Sequence, residues 1–314
     1  MRFQKNGDVK VVYMGTPAIS ASVLSSIIRA GFSVVAVISN EDKAVGRRHE
    51  LEPTPVKKVA LEAGIPVFQP HRIRQDHEFL SSLDFDVLVT MAYGQIVPQE
   101  VLDAPKVGAI NLHGSLLPSW RGAAPIQRAI MNLDQETGVT LMKMVDKMDA
   151  GEMYDKETVQ ISKEDNYTSL SLKISECASS LIVKDLLKYA NGELKGIPQS
   201  EEDVTFAKKI LPEDEHIPLS LSLPYILAYI RGLSEIPGGY FFLDGKKLKV
   251  YSASPCPLPL SGKVGEIVKE TKGLFVQVKG GVISLDEVQL EGKKRMDGKS
   301  FVNGAKGLLG KVLE

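Results

Sequence analysis

The chain has 314 residues, 43% of them hydrophobic, with 38 basic against 39 acidic side chains. That is enough apolar material for a sizeable core, more simply divided over two domains than one. The balanced charge demands neither a nucleic-acid nor a membrane partner. The balance is uneven along the chain: from Phe206 to Glu314 there are 16 Lys or Arg against 12 Asp or Glu, leaving 22 against 27 elsewhere. A basic excess this small is compatible with a phosphate backbone but does not require one. The two cysteines, Cys177 and Cys256, have no CxxC spacing. They argue against a disulfide scaffold and against structural zinc. The first ten residues, MRFQKNGDVK, hold no apolar run, and nothing in the chain approaches the roughly 18 apolar residues of a membrane span. A cytoplasmic protein without a signal peptide or membrane contact is expected.

In chain order, VKVVYMG (9–15) is a short apolar run ending in Gly and reads as a buried strand. Residues 18–30 have helical spacing and stop before Gly31, a plausible C-cap. SVVAVIS (33–39) is a second strand, 54–63 a helix closed by Gly64, and IPVFQ a short third strand. FDVLVTMA (85–92) and VGAINLH (107–113) follow as strands four and five. Strands alternating with helices predict a doubly wound, mostly parallel sheet, and fully apolar strands fit burial on both faces. ETGVTLMKMV (136–145) and EMYDKETVQI (152–161) add two strands around the polar turn DKMDAG. A long helix is expected over 169–190, capped by Thr168, with Cys177 buried in it.

Composition changes between Lys195 and Leu223, with several prolines and the acidic cluster Glu213, Asp214 and Glu215. This predicts a linker over 196–218, separating a domain of residues 1–195 from one of 219–314. The last part is β-rich. Asp244-Gly245 sits between two strand-like runs, a strong hairpin signal, and Gly280-Gly281 repeats the plan. A small barrel or sandwich is expected there.

The first strand-to-helix turn, Met14-Gly15-Thr16-Pro17, does not suit a dinucleotide. A pyrophosphate cradle needs several glycines and backbone N–H donors, whereas this turn has one glycine, and Pro17 has no N–H. Asn111 and His113 close the fifth strand, where ligands bind in open α/β sheets. As i and i+2 residues they point to one side. An amide and an imidazole so placed can address a carbonyl oxygen that becomes an oxyanion. A lone strand-end histidine is more often structural. The loop 114–125 is rich in Gly, Ala and Pro and also carries Leu116, Leu117 and the only tryptophan, Trp120. These apolar residues either pin the loop to the core or wall a flat cosubstrate. Asp146 and Asp149 are both candidate acids to fix the His113 tautomer, and spacing does not choose between them. Loop 40–53 carries Lys43, Arg47 and Arg48; it is either a solvated surface loop or an arm for a phosphate backbone.

Taken together, NLHGSLLPSWRGAAPIQRAI (111–130) with VVYMGTP (11–17), GIPVFQP (64–70), AYGQIVP (92–98), TGVTLMKM (137–144) and DAGEM (149–153) resembles the methionyl-tRNA formyltransferase family. IRGLSEIPGG (230–239), DGKKLKV (244–250) and EGKKRM (291–296) extend the resemblance over nearly the whole chain. It implies a Rossmann-like formyltransferase domain followed by a small OB-like β-barrel that binds tRNA. It implies formyl transfer from 10-formyltetrahydrofolate to the α-amino group of initiator methionyl-tRNA, by direct amine attack, without a metal, in a monomer. By motif, the catalytic residues fall on Asn111, His113 and Asp149, which prefers Asp149 over Asp146. The folate-binding loop falls on Ser115, Leu116, Leu117 and Pro118, and the tRNA-binding insertion on Lys43, Arg47 and Arg48. Ser119 stands where the family usually has Arg. The loop EDKAVGRR and the linker PEDEHIPL, which lacks the family's Trp, also depart from its pattern. Rival readings are a formyltransferase on another amine such as a nucleotide-linked amino sugar, a 10-formyltetrahydrofolate hydrolase, and a binding module that lost catalysis.

Overall fold

Residues 2–45, 50–269, 271–305 and 307–314 are described by the computed structural model of the chain. They sort into two units, one of Met1–Pro125, Glu136–Gln160 and Ser171–Ala207, the other of Ile126–Gln135, Ile161–Leu170 and Lys208–Glu314.

The chain opens with β1 (Lys10–Gly15), α1 (Ala18–Arg29) and β2 (Ser33–Ile38). A small hairpin follows, β3 (Lys43–Val45) and β4 (Glu50–Glu52), then α2 (Pro55–Glu62) and β5 (Val67–Phe68). Next come β6 (Val87–Met91), α3 (Gln99–Leu102), β7 (Gly108–His113), β8 (Arg121–Gly122) and α4 (Pro125–Met131). The series ends with β9 (Glu136–Lys143), β10 (Met153–Gln160), α5 (Tyr167–Ala190) and β11 (Phe206–Ala207). The main sheet has seven strands in the order β10-β9-β7-β6-β1-β2-β5. From β7 to β5 all neighbours are parallel, and β9 runs antiparallel to both of its own. The order reverses beside β1, as in doubly wound folds. Every residue of β6 is buried, as a strand covered on both faces requires.

Gly15 has a packing role: a Cβ there would lie 1.8 Å from Ser20 Oγ and 2.9 Å from Met91 O. The single glycine of the first turn lets α1 and β6 close on β1, and no phosphate cradle is needed to explain it. Tyr13, fully buried beneath this turn, shares its hydroxyl with Ser20 O and Oγ at 2.8 Å each. Cys177 is buried in α5, and burial pushes its thiol up to about 11.

Helical spacing predicts that the long helix starts at 169 under a Thr168 cap. In the structure α5 starts at Tyr167, so Thr168 lies inside it. Asn166 supplies the cap. Its Oδ1 accepts the Ser169 N–H at 2.9 Å, and Ser169 Oγ accepts the Asn166 N–H at 3.1 Å. This reciprocal pair satisfies two backbone donors, which a threonine two residues further in would not do.

The second unit adds α6 (Leu223–Leu233), β12 (Gly239–Leu243), β13 (Lys246–Cys256), β14 (Ile267–Lys269), β15 (Leu274–Val278), β16 (Gly281–Leu290), β17 (Met296–Asp297) and α7 (Gly298–Gly304). Its antiparallel sheet runs β12-β13-β16-β15-β14, with β17 on β16. Asp244 and Gly245 form the first hairpin turn with φ of +50° and +73°, as a two-residue primed turn demands. The second turn is one residue earlier than the glycine pair suggests: Val278 pairs with Gly281, leaving Lys279 and Gly280 as the loop. Gly281 belongs to the strand, where a Cβ would meet Leu223 Cδ1 at 2.7 Å. The chain terminus covers both sheet edges. Phe242 and Glu314 exchange backbone hydrogen bonds of 2.8 and 3.0 Å, while the Ile267 N–H donates to Lys311 O and the Leu313 N–H to Gly265 O. The sheet is thereby closed into a small barrel around Phe241, Leu248, Val276, Ile283 and Leu285.

Candidate active site

Parallel pairing of β6 with β7 sets Thr90 beside Asn111. The Thr90 hydroxyl lies 3.0 Å from Asn111 Oδ1 and 3.1 Å from Ile110 O. With Oδ1 turned to Thr90, the Asn111 Nδ2 donor has no protein acceptor among the described residues. Two residues on, His113 is 5% exposed. Its Nε2 lies 2.9 Å from the Trp120 carbonyl oxygen. A carbonyl only accepts, so the proton is on Nε2. Nδ1 lies 3.6 Å from Asp149 Oδ2, longer than a hydrogen bond and an ion pair only when the imidazole is protonated. The same carboxylate oxygen accepts the Gly122 N–H at 2.8 Å.

Two residues that bring their backbone or carboxylate to His113 have left-handed backbones, Trp120 at φ +62° and Asp149 at φ +50°. That region is rare for a bulky residue and more accessible to Asp. Neighbouring groups over-determine both. The Trp120 N–H donates to Thr205 Oγ1 at 2.8 Å and the Arg121 N–H to Thr205 O at 2.9 Å. Gln199 Nε2 donates to Asp149 O and to Gly151 O, each at 2.8 Å. At Gly151 a Cβ would sit 2.0 Å from Lys143 O, so only glycine lets this turn lie against β9.

Residues 197–207, within the stretch read as a linker, supply these braces. Ile197 and Met153 exchange backbone hydrogen bonds of 2.9 Å, and β11 pairs in parallel with β8. Composition did not signal this, because the segment is short, polar and without period.

Ser115, His113 and Asp149 are the residue types of a hydrolytic triad. The Ser115 hydroxyl instead donates to Ser119 O at 2.6 Å, and the two nitrogens of His113 face Trp120 and Asp149. Ser115 is therefore not poised as a nucleophile. What the strand end offers is an amide donor, an imidazole and a carboxylate. This set can stabilise an oxyanion and move a proton without forming a covalent enzyme intermediate.

The family model for formyl transferases matches residues 9–186, and that for the formyl transferase C-terminal domain matches residues 209–306. The methionyl-tRNA formyltransferase of Bacillus thuringiensis (strain Al Hakam) is 42% identical over 309 residues, 97% of this chain and 98% of its own. The chain belongs to the methionyl-tRNA formyltransferase family. It is an enzyme that transfers a formyl group. Solved structures at lower identity share the fold. WlaRD, a sugar 3N-formyl transferase solved with dTDP and 5-N-formyl-THF, superposes with a TM-score of 0.68 at 19% identity, over 91% of this chain and 99% of its own. HypX from Aquifex aeolicus in complex with tetrahydrofolic acid gives 0.66 at 16% identity, over 96% of this chain and 48% of its own.

The other residues that the resemblance to the methionyl-tRNA formyltransferase family singles out are placed as follows. Ser115 and Leu117 are fully buried, Leu116 and Pro118 half-buried. Thr140 fastens this loop to β9: its hydroxyl donates to Ser115 O at 2.7 Å and accepts the Leu117 N–H at 3.0 Å. From β10, the Lys156 ammonium donates to Leu117 O. Asp146 is not beside His113; it lines a cleft of about 600 Å³ with Arg74, His77, Pro98, Gln99 and Glu100. Lys43 is exposed on β3, opposite Glu52 of β4. Arg47 and Arg48 lie outside the described residues. Arg121 carries a charge in the middle of the signature motif yet is 1% exposed; its partners are Gln199 and Glu201. Among the described residues no helix is long and apolar enough to cross a membrane.

Proposed function

We propose that this enzyme transfers the formyl group of 10-formyltetrahydrofolate to the α-amino group of initiator methionyl-tRNA, with Asn111, His113 and Asp149 as its catalytic residues. The observation that carries the chemistry is the Asn111 amide donor beside the His113–Asp149 pair at one strand end. The choice of substrates is supported by 42% identity over 97% of the chain to a methionyl-tRNA formyltransferase.

The amine attacks the formyl carbon as a neutral nucleophile. As the C–N bond forms, the carbonyl oxygen gains charge, and the Asn111 Nδ2–H and the His113 N–H donate to it. His113 exchanges the Trp120 carbonyl for that oxygen. Asp149 orients the imidazole, and its carboxylate accepts the proton that the amine gives up. Collapse breaks the bond from the formyl carbon to N10, and N10 takes that proton from Asp149 as it leaves. The products are the formylated amine and tetrahydrofolate. Every atom and proton is accounted for without a metal or a covalent enzyme intermediate.

In this reading Ser115, Leu116, Leu117 and Pro118 shape the folate site, Leu116 and Pro118 by their half-exposed side chains and Ser115 and Leu117 by fixing the loop from within. Lys43, Arg47 and Arg48 engage the tRNA. Residues 1–195 form the catalytic domain, 196–218 connect it, and 219–314 form the tRNA-binding barrel. The protein works as a cytoplasmic monomer.

The similarity of fold to WlaRD makes a sugar amine the leading alternative acceptor. The deciding experiment supplies 10-formyltetrahydrofolate with charged initiator methionyl-tRNA, with a nucleotide-linked amino sugar, or with neither. Formylated methionyl-tRNA is the expected product. Turnover only with the sugar would replace the acceptor, and folate turnover with no acceptor would make the enzyme a hydrolase.

A further inference from the structure

We propose that Gln199 is a positioning residue for formyl transfer: backed by Arg121, its side chain holds the Asp149–Gly151 turn so that the Asp149 carboxylate faces His113. The inference rests on Asp149 being catalytic, as proposed above.

Asp149 must adopt a left-handed backbone to bring its carboxylate to the imidazole. Within Lys147-Met148-Asp149-Ala150-Gly151 the Ala150 N–H closes a local turn on Lys147 O at 3.2 Å, and a partner from outside the segment pins that turn in place. Gln199 does so by spanning the turn, with both donors of one carboxamide directed to the carbonyls of Asp149 and Gly151 at 2.8 Å each. A carboxamide has one remaining polar atom, Oε1, and it accepts from Arg121 Nε at 2.9 Å. The amide is therefore fully satisfied, and only one of its two flipped orientations fits, because Arg121 can only donate.

Arg121 is in turn fixed. Its guanidinium is held by Glu201 Oε1 at 3.2 Å from both terminal nitrogens, and its backbone is held by the Thr205 carbonyl. A buried cation is costly unless paired and hydrogen-bonded. At 1% exposure this one is enclosed by protein, so its charge is directed to Gln199 and Glu201. Arg121 is also the neighbour of Gly122, whose N–H binds Asp149 Oδ2 at 2.8 Å. The strut thus holds Asp149 from both ends, its carbonyl through Gln199 and its carboxylate through Gly122. A displacement of about 1 Å in such a group can lower turnover on the order of 10²-fold.

Gln199→Glu tests this in the full-length enzyme. The variant keeps the shape and the acceptor for Arg121 but removes both donors to the turn. It is expected to lower kcat by about 10- to 100-fold while KM for 10-formyltetrahydrofolate stays within about twofold. Gln199→Asn, neutral but too short to span the turn, is expected to do the same and guards against a charge effect or misfolding of the first variant. In the Asp149→Asn background either change should then cost less than about twofold, because a residue acting through Asp149 has nothing left to position. An equal loss in both backgrounds would overturn the inference. So would unchanged kcat in both single variants while Asp149→Asn is impaired. Full activity of Asp149→Asn would overturn the assignment of Asp149 itself, and the role of Gln199 with it.

Discussion

The Asn111 carboxamide is oriented with Oδ1 on the Thr90 hydroxyl. In that orientation Nδ2 remains available as a donor, and an oxyanion needs donors. Asn111→Asp is nearly isosteric but replaces that donor with an anionic oxygen. It should lower kcat by about 10²- to 10³-fold, and His113→Ala should cost at least about 10²-fold, both with folate affinity nearly intact. Single-turnover formylation and equilibrium folate binding measure the two quantities separately. Unchanged turnover in either variant would remove that residue from the mechanism. At Ser119, where the resemblance leads one to expect a positive side chain, the structure places a loop staple: its carbonyl accepts the Ser115 hydroxyl. That contact uses the backbone and is indifferent to the side chain, so the loop can close without the charge.

Elements show where local signals suffice and where they are overridden. The strands β1, β2, β6 and β7 fall where apolar runs predict them, because a strand buried on both faces must be apolar throughout. The start of α5 shifts because two side-chain patterns compete for the cap, and the Asn166–Ser169 exchange satisfies more donors than Thr168 can. Asn166→Ala should therefore destabilise the protein by about 1 kcal/mol, whereas Thr168→Ala should be close to neutral. Chemical denaturation of the two variants distinguishes them, and a larger loss at Thr168 would contradict the cap assignment. The braces at 197–207 were illegible for the opposite reason. Their hydrogen bonds go to segments about 50 to 85 residues away in sequence, and no periodicity reports a contact of that kind.

The whole molecule pairs an α/β unit bearing the candidate site with a barrel sealed by its own terminus. Leu313 is 1% exposed within the barrel core, and its neighbours bind both sheet edges. Leu313→Ala should cost about 2–5 kcal/mol and speed hydrogen exchange at the Phe242 and Ile267 amides, whose acceptors lie at 311–314. Exchange rates unchanged at both amides would show that the terminus does not seal the barrel. The uneven charge also finds its place at this scale, since the basic excess belongs to residues 206–314, nearly all in the barrel unit.

By itself the sequence determined the element types, the parallel sheet, the hairpins and the pairing of Asn111 with His113. Each depends on a local pattern: apolar periodicity, a turn pair, or the alternation of side chains along a strand. From chemistry alone it did not choose between Asp146 and Asp149; only the resemblance preferred the latter. The tertiary structure brings Asp149 to His113, its carboxylate directed there by a left-handed turn, and places Asp146 on a cleft with Arg74 and His77. That turn is held from β9 by the space left at Gly151, from residue 199 by two hydrogen bonds, and from residue 121 by a buried charge. These groups are distant along the chain and meet only after the sheet has formed.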